Sequence, residues 1–430
     1  MSFESFLRGI LGLVVLGLVL YFFSSDRKRI PWKLVGLGFL LQVIFAVGIL
    51  HVPLIAAIFD QVSSFFVVVI EFTREGSVFV FGNLMDTKTT GFIFAFQVLP
   101  TIIFFSALTS LFFYLGLLQK IVYGLSWVMG KFMRMSGAEN LSTTANIFLG
   151  QTEAPLLIKP YLPLMTRSEL LCVMIGGMAN TAGGVLAAYV GFLGGNDPVQ
   201  QLFFAKHLLA ASVMSAPATI IVSKMLLPQT EEIDERLELS EEKIGTNVIE
   251  AIAVGTEEGV KLAFNVGAML IVFIAMIAMV NYCLNNFIGD LTGLNGLIAQ
   301  WTDGQYTGLT LQFVLGYACA PFVWLLGVAK SDIIYIGQLL GEKTILNEFV
   351  AYMTLGKMKD AGVFQDPRSI IFATYILSGF ANFSSIGIQV GGIGALAPTK
   401  RGMLSELGMK ALLGGTICSL LTATIVGMLT

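Results

Sequence analysis

Asn146-Ile-Phe-Leu-Gly-Gln-Thr-Glu-Ala-Pro-Leu-Leu157 sets a carboxylate, an amide, a hydroxyl, a glycine and a proline inside strongly apolar surroundings. Gly150 and Pro155 argue against a continuous helix through it. A helix broken at membrane depth frees backbone groups, which are tolerated only when buried in protein or lining a polar cavity. An ionisable residue there is a functional-site candidate. The alternative is a cytoplasmic loop between two spans.

A second stretch has the same character: Gly341-Glu-Lys-Thr-Ile-Leu-Asn-Glu-Phe-Val-Ala-Tyr352. Each stretch precedes an apolar segment with a shared core. These are Gly177-Met-Ala-Asn-Thr-Ala-Gly-Gly184 and Gly379-Phe-Ala-Asn-Phe-Ser-Ser-Ile386, both Gly-x-Ala-Asn followed by small or hydroxylated residues. A duplicated unit with interrupted segments at corresponding places is the pattern of secondary transporters, whose site lies between the repeats.

Composition agrees. The chain has 430 residues, 56% hydrophobic and 12% charged, where a soluble domain carries roughly 25% charged residues. The apolar runs are long and continuous, unlike the alternating segments of an outer-membrane barrel. The reading is an all-α membrane protein. A net charge of −3 with no basic patch gives no reason to expect nucleic acid. Cys172, Cys283, Cys319 and Cys418 lie far apart in apolar segments without metal spacing, and read as small core residues.

Along the chain, Phe6 to Phe23 is the first span, with Arg8 near enough to its end to snorkel. Its basic residues follow the apolar run, as Arg27, Lys28, Arg29 and Lys33, which is the reverse of a signal peptide. The positive-inside rule puts that loop in the cytoplasm and the N-terminus outside. A second span runs from Val35 to Phe59, with Pro53 late in it. Gln61 to Leu84 mixes apolar and charged residues and reads as interfacial. Phe92 to Leu118 is a span kinked at Pro100. The first broken stretch, a polar turn from Tyr161 to Glu169, and helices from Leu170 to Leu193 and Phe203 to Leu227 follow. Gln229 to Asn247 is a solvated acidic loop. Glu250 to Lys261 reads as interfacial, and Leu262 to Leu284 and Leu309 to Val328 as apolar runs. The second broken stretch precedes a helix from Ser369 to Val390. Lys400 and Arg401 mark another cytoplasmic loop before the last span, Leu404 to Met428. With both termini outside the number of crossings is even, about eight when the broken stretches are re-entrant.

With these pieces placed, the chain resembles the concentrative nucleoside transporters. The matching motifs are Gly150-Gln-Thr-Glu-Ala-Pro155, Asn347-Glu-Phe-Val-Ala-Tyr352 and Gly379-Phe-Ala-Asn-Phe-Ser-Ser385, in the family's order. The resemblance implies a homotrimer of eight-span protomers in the plasma membrane, the inner membrane in a Gram-negative cell. Each protomer would carry two re-entrant helical hairpins in an inverted repeat. The expected organisation is N-terminal spans with an interfacial helix as a scaffold (1–91), a first repeat with hairpin 1 (92–228), the acidic loop (229–247) and a second repeat with hairpin 2 (248–430). The implied function is import of nucleosides of the uridine, cytidine and adenosine type, driven by a sodium gradient, with a proton gradient as the alternative.

The resemblance also implies site residues. Gln151, Thr152 and Glu153 would face the nucleobase, and Glu348, Asn382 and Ser385 the ribose, with Val185 and Phe380 as apolar neighbours. Sodium would lie at Asn146, the Leu149 carbonyl, position 180 and the Thr181 carbonyl. Position 180 is Asn180, where the pattern leads one to expect Ser or Thr. The residue chemistry suits these roles. A base edge alternates donors and acceptors, which Gln151 and Thr152 can match from both sides and ionised Glu153 as acceptor. Ribose hydroxyls donate to a carboxylate such as Glu348 in charge-assisted bonds. Asn382 and Ser385, three apart, would share one helix face. Each has a plainer reading: Asn382 and Ser385 as interhelical hydrogen-bond partners, Phe380 as core, Asn146 and Asn180 as structural amides. A buried carboxylate is harder to dismiss, at ~2.5 kcal/mol or more even on lenient insertion scales. An intramembrane enzyme is the rival class. Against it, the chain has two histidines, no His-Glu-x-x-His and no Walker-type glycine loop.

Overall fold

The computed structural model describes residues 3–91, 93–133, 135–195, 197–236 and 245–430, with the side chains of 87 and 88 left aside. The described residues form helices and no strand. Eight helices among them are long and apolar enough to cross a membrane.

Helix α1 (Phe3–Phe22) and α2 (Trp32–His51) flank the basic turn Arg27–Arg29, where Asp26 accepts from the Lys28 amide. Arg8 does not snorkel. Its guanidinium donates to the Trp324 carbonyl at 3.3 Å and lies over the Trp324 ring. The second span is shorter than expected, because Val52 is extended and Pro53 opens a new helix, α3 (Pro53–Phe81). Pro is pre-set for a first turn, where its missing N–H is no loss. The same principle corrects Pro100, which opens α4 (Leu99–Tyr114) and does not kink it. Helix α5 (Leu117–Phe132) follows.

Helix α6 (Gly137–Ala145) starts at a capping box of Ser136 and Glu139, and α7 (Arg167–Ala179) at one of Thr166 and Glu169. Then come α8 (Gly183–Gly194) and α9 (Pro198–Leu226). Of the acidic loop, residues 237–244 lie outside the described residues. Helix α10 (Val248–Tyr282) is one 35-residue element, so the expected interfacial piece and span are a single helix. Gly255 and Gly259 hold it against α4: a Cβ at Gly255 would sit 2.5 Å from the Ser110 Cβ, and one at Gly259 2.8 Å from the Ile103 Cα. Small residues four apart allow such backbone approach in membranes.

The last part contains α11 (Leu311–Leu325), α12 (Ile333–Ile345), α13 (Glu348–Asp360), α14 (Pro367–Leu377), α15 (Phe383–Leu396) and α16 (Arg401–Gly427). In the apolar window of α9, 94% is buried inside the protein, against 17% in that of α10. Helix α9 is therefore central, and α10 faces outward. Of the cysteines, Cys172 and Cys418 are buried as expected, while Cys283 is exposed.

Both stretches singled out in the sequence are broken. Helix α6 ends at Asn146 and a short turn, Ala154–Leu157, resumes beyond Gly150. Helix α12 ends at Ile345, and Asn347 caps α13 by accepting from the Val350 amide at 3.0 Å. The two Gly-x-Ala-Asn segments, expected as continuous helices, are broken as well. Helix α7 stops at Ala179 and α8 starts at Gly183, while α14 stops at Leu377 and α15 starts at Phe383. The asparagines mark the interruptions: Asn180 ends α7 and Asn382 caps α15.

Candidate functional site

The four interruptions meet. The Gly183 amide donates to the Phe148 carbonyl at 3.1 Å, joining the first break to the α7–α8 break. The Gly379 amide donates to the Thr181 hydroxyl at 3.1 Å, joining that break to the α14–α15 one. Gly379 has φ +89° and lies where a Cβ would come within 2.6 Å of the Met178 carbonyl oxygen, so glycine is required on both counts. The fourth break joins through Asn382, whose Nδ2 donates to Glu348 Oε2 at 2.6 Å.

Unwound backbone in an apolar interior needs partners, and side chains supply some of them. The Lys343 amine is fully buried and donates to the Ile376 carbonyl (2.8 Å), the Ser378 carbonyl (3.0 Å) and the Ser419 hydroxyl (3.0 Å). It thereby satisfies the freed end of α14. In the first half, Lys224 is buried against Glu139 and donates to the Ser168 hydroxyl at 3.0 Å.

A cavity of about 420 Å³ opens among the breaks. It is lined by all eight residues assigned to substrate: Gln151, Thr152, Glu153, Val185, Glu348, Phe380, Asn382 and Ser385. The two polar sets come from opposite halves of the chain. They touch at one point, where Gln151 Nε2 donates to the Ser385 hydroxyl at 3.4 Å, leaving Gln151 Oε1 buried without a protein partner. Thr152 is exposed and Glu153 half-buried. One Glu153 oxygen already accepts from the Gly150 amide at 2.9 Å. Glu348 opens α13, where the helix dipole favours a carboxylate. The Asn382–Ser385 relation is also local: Asn382 Oδ1 accepts from the Ser385 amide at 2.9 Å as a helix cap, so the two do not simply share a helix face.

The residues assigned to the cation lie outside the lining of this cavity. Asn146, Leu149, Asn180 and Thr181 are all at most 2% exposed. Asn146 Nδ2 donates to the Ser142 carbonyl at 2.9 Å, while its Oδ1 has no protein partner. A buried amide oxygen left without a donor suits a hard cation or a water. The residues present fit a small cation.

Sequence reasoning missed Asn265, Asn347 and Ser384, which line the same cavity. Asn265 was legible as an amide in the apolar run Leu262-Ala-Phe-Asn-Val266, by the rule that intramembrane polar groups face protein or cavity. A second cavity of about 260 Å³ shares Glu153, Ala182, Val185 and Leu262 with the first, and adds Glu258 of α10.

Three family models match this chain. They describe a Na+ dependent nucleoside transporter C-terminus (residues 207–427), its N-terminus (11–84) and nucleoside recognition (95–196). An uncharacterized transporter of Haemophilus influenzae is 41% identical over 99% of this chain and 98% of its own. Sodium/nucleoside cotransporter 1 of Rattus norvegicus is 37% identical over 97% of this chain and 63% of that protein. The solved structure of CNTnw in an inward-facing substrate-bound state superposes with a TM-score of 0.87 at 37% identity, covering 98% of each chain. With its broken helices gathered around one polar cavity and these relatives along its whole length, the chain belongs to the Na+ dependent nucleoside transporter family.

Proposed function

We propose that this protein imports nucleosides of the uridine, cytidine and adenosine type across the plasma membrane, the inner membrane in a Gram-negative cell. A sodium gradient drives the import. The observation that carries this reading is the single cavity with two opposed polar sets from the two halves of the chain. Gln151, Thr152 and the remaining Glu153 acceptor take the base. Glu348, held by Asn382, accepts from the ribose hydroxyls, Ser385 adds a hydroxyl, and Val185 and Phe380 pack against the rings. Sodium sits at Asn146, the Leu149 carbonyl, Asn180 and the Thr181 carbonyl, where broken helices offer the neutral oxygens that a hard cation accepts. The orphaned Asn146 Oδ1 supports this assignment, as does the similarity to the rat sodium/nucleoside cotransporter.

The chain divides into an N-terminal scaffold (1–91), a first repeat with re-entrant hairpin 1 (92–228), an acidic loop (229–247) and a second, inverted repeat with re-entrant hairpin 2 (248–430), assembled as a homotrimer. The test is uptake of labelled uridine into proteoliposomes under separately imposed sodium and proton gradients. Sodium-driven accumulation is expected. Accumulation that ignores sodium and follows pH would replace sodium by the proton, and none with any nucleoside would sink the reading.

A further inference from the structure

The second cavity, of about 260 Å³, adjoins the nucleoside cavity on its cytoplasmic side. The Ser25 amide donates to the Leu226 carbonyl at 2.9 Å, so α9 ends beside the basic turn Arg27–Arg29, which the positive-inside rule assigns to the cytoplasm. The chain re-enters α10 from that same side, where Tyr114 at the end of α4 donates to the Thr246 carbonyl at 3.3 Å. Gly245 of this re-entry lines the second cavity and not the first. Along α10, Val254, Glu258 and Leu262 line the second cavity, and Leu262, Asn265 and Met269 the first. Spacings of three and four keep them on one helix face. That face leads from the cytoplasmic end of α10 to the nucleoside cavity.

The polar groups of the second cavity are uncommitted. Hydroxyls in helices often bond back to their own backbone, as Thr101, Thr256 and Thr416 do here. Ser106, Thr109 and Ser110, on one turn of α4, make no hydrogen bond within the protein among the described residues. Glu258 has no ion pair among the described residues either, because the nearby Lys261 is held by Glu257 at 2.6 Å. A carboxylate in a membrane-spanning helix needs water or a polar ligand to face.

The chemistry of the set selects its occupant. Glu153 and Glu258 line the cavity, and no lysine, arginine or amide side chain does so among the described residues. Two carboxylates without a cation disfavour an anion such as a nucleotide. Carboxylates accept from hydroxyls, and serine and threonine both donate and accept. A neutral molecule rich in hydroxyls fits, and the sugar end of a nucleoside is one.

We infer that the second cavity is a way station for the nucleoside on the cytoplasmic side, where Glu258, with the hydroxyls of Ser106 and Thr109, takes the ribose hydroxyls that Glu348 has released. This rests on the nucleoside reading above. The station gives the departing ribose new partners before it reaches water, and it serves uridine entering from the cytoplasm in the same way.

The test uses membrane vesicles from cells that express the full-length protein, sealed right-side-out or inside-out. Exchange of labelled uridine is measured with equal sodium on both sides, and the half-maximal uridine concentration is read on each face. Glu258→Gln and Ser106→Ala should each raise it on the cytoplasmic face by about threefold or more, the size of one ordinary hydrogen bond. The outer face should keep the wild-type value. Glu257→Gln removes the same charge one residue away, from a side chain that does not line the cavity, and should match wild type on both faces. With 2′- and 3′-deoxyuridine as competitors on the cytoplasmic face, Glu258→Gln should penalise at least one of them less than it penalises uridine.

Equal rises on both faces, equal penalties for uridine and both analogues, or a rise in Glu257→Gln as large as in Glu258→Gln would overturn the inference. So would wild-type values for Glu258→Gln and Ser106→Ala on the cytoplasmic face. In each of these cases nucleoside transport itself stands. If wild type exchanges no nucleoside, that reading falls, and the inference with it.

Discussion

Glu348 shows how far one residue can be argued. Asn382 donates to Oε2 at 2.6 Å, which fixes the carboxylate at the cavity wall. Glu348→Gln keeps the size but removes the charge. A hydrogen bond to a charged group contributes about 1.5–3 kcal/mol, so uridine binding should weaken roughly tenfold or more. The 2′- or 3′-deoxy analogue that already lacks the bond should lose less. Titration of wild type and variant with uridine and both analogues checks this, and equal losses for all three would sink the ribose assignment. Gln151→Ala makes the complementary case. With its Oε1 unpartnered, it should change the ranking of nucleosides that differ only in their base, read as competition against labelled uridine. An unchanged ranking would remove Gln151 from base recognition.

At the scale of elements, the breaks are held by a few groups whose removal should be costly. Gly379→Ala meets two obstacles. A left-handed residue with a Cβ costs roughly 1–2 kcal/mol, and the Cβ would press on the Met178 carbonyl, with overpacking adding about 1–3 kcal/mol. A clearly lowered unfolding midpoint in detergent is expected, and an unaltered one would mean that the crossing of the two breaks relaxes freely. Lys343→Met keeps the bulk of the side chain but strips the donors from two carbonyls and a hydroxyl. Leaving buried acceptors unpaired costs about 1–3 kcal/mol each. The variant should unfold at a lower temperature and lose uridine binding with it, because Ser378 borders the break that carries Asn382. Normal stability would assign Lys343 a role other than holding the break.

For the whole molecule, the helices and the family relatives make this a multi-pass protein of the plasma membrane, and its relatives are transporters and not enzymes. The rival reading as an intramembrane enzyme falls. Large apolar side chains stand exposed on the outer helices, among them Leu54 and Phe79 on α3 and Phe264 and Ile271 on α10. Lipid or neighbouring protomers must cover them. The homotrimer is tested by crosslinking in mild detergent, where a three-chain band is expected and a ladder stopping at one or two chains would exclude it. By the positive-inside rule, the basic loops at Arg27–Arg29 and at Lys400 and Arg401 predict both termini outside. Tags at the two ends should both be accessible on intact spheroplasts, and protection of only one would overturn the even count of crossings.

The chain's own composition and punctuation determined the class and the two broken stretches, while the eight residues assigned to substrate, all of which line the cavity, came from the resemblance to the family. Those signals are local: apolar run length, Gly and Pro inside such runs, and carboxylates that an apolar setting cannot hold without purpose. Tertiary structure decided the rest. Nothing in Leu170 to Leu193 or Ser369 to Val390 forbids a continuous helix. They break at Asn180 and Asn382 because the crossing at Gly379 and the partners Thr181 and Glu348 repay the lost helical bonds. Whether an intramembrane lysine such as Lys343 reaches water or a set of carbonyls depends on what packs against it, and so does the meeting of Ser215 with Asn180, 35 residues away in the chain. Such contacts are set by the packing of helices distant in sequence, and no window along the chain contains both partners.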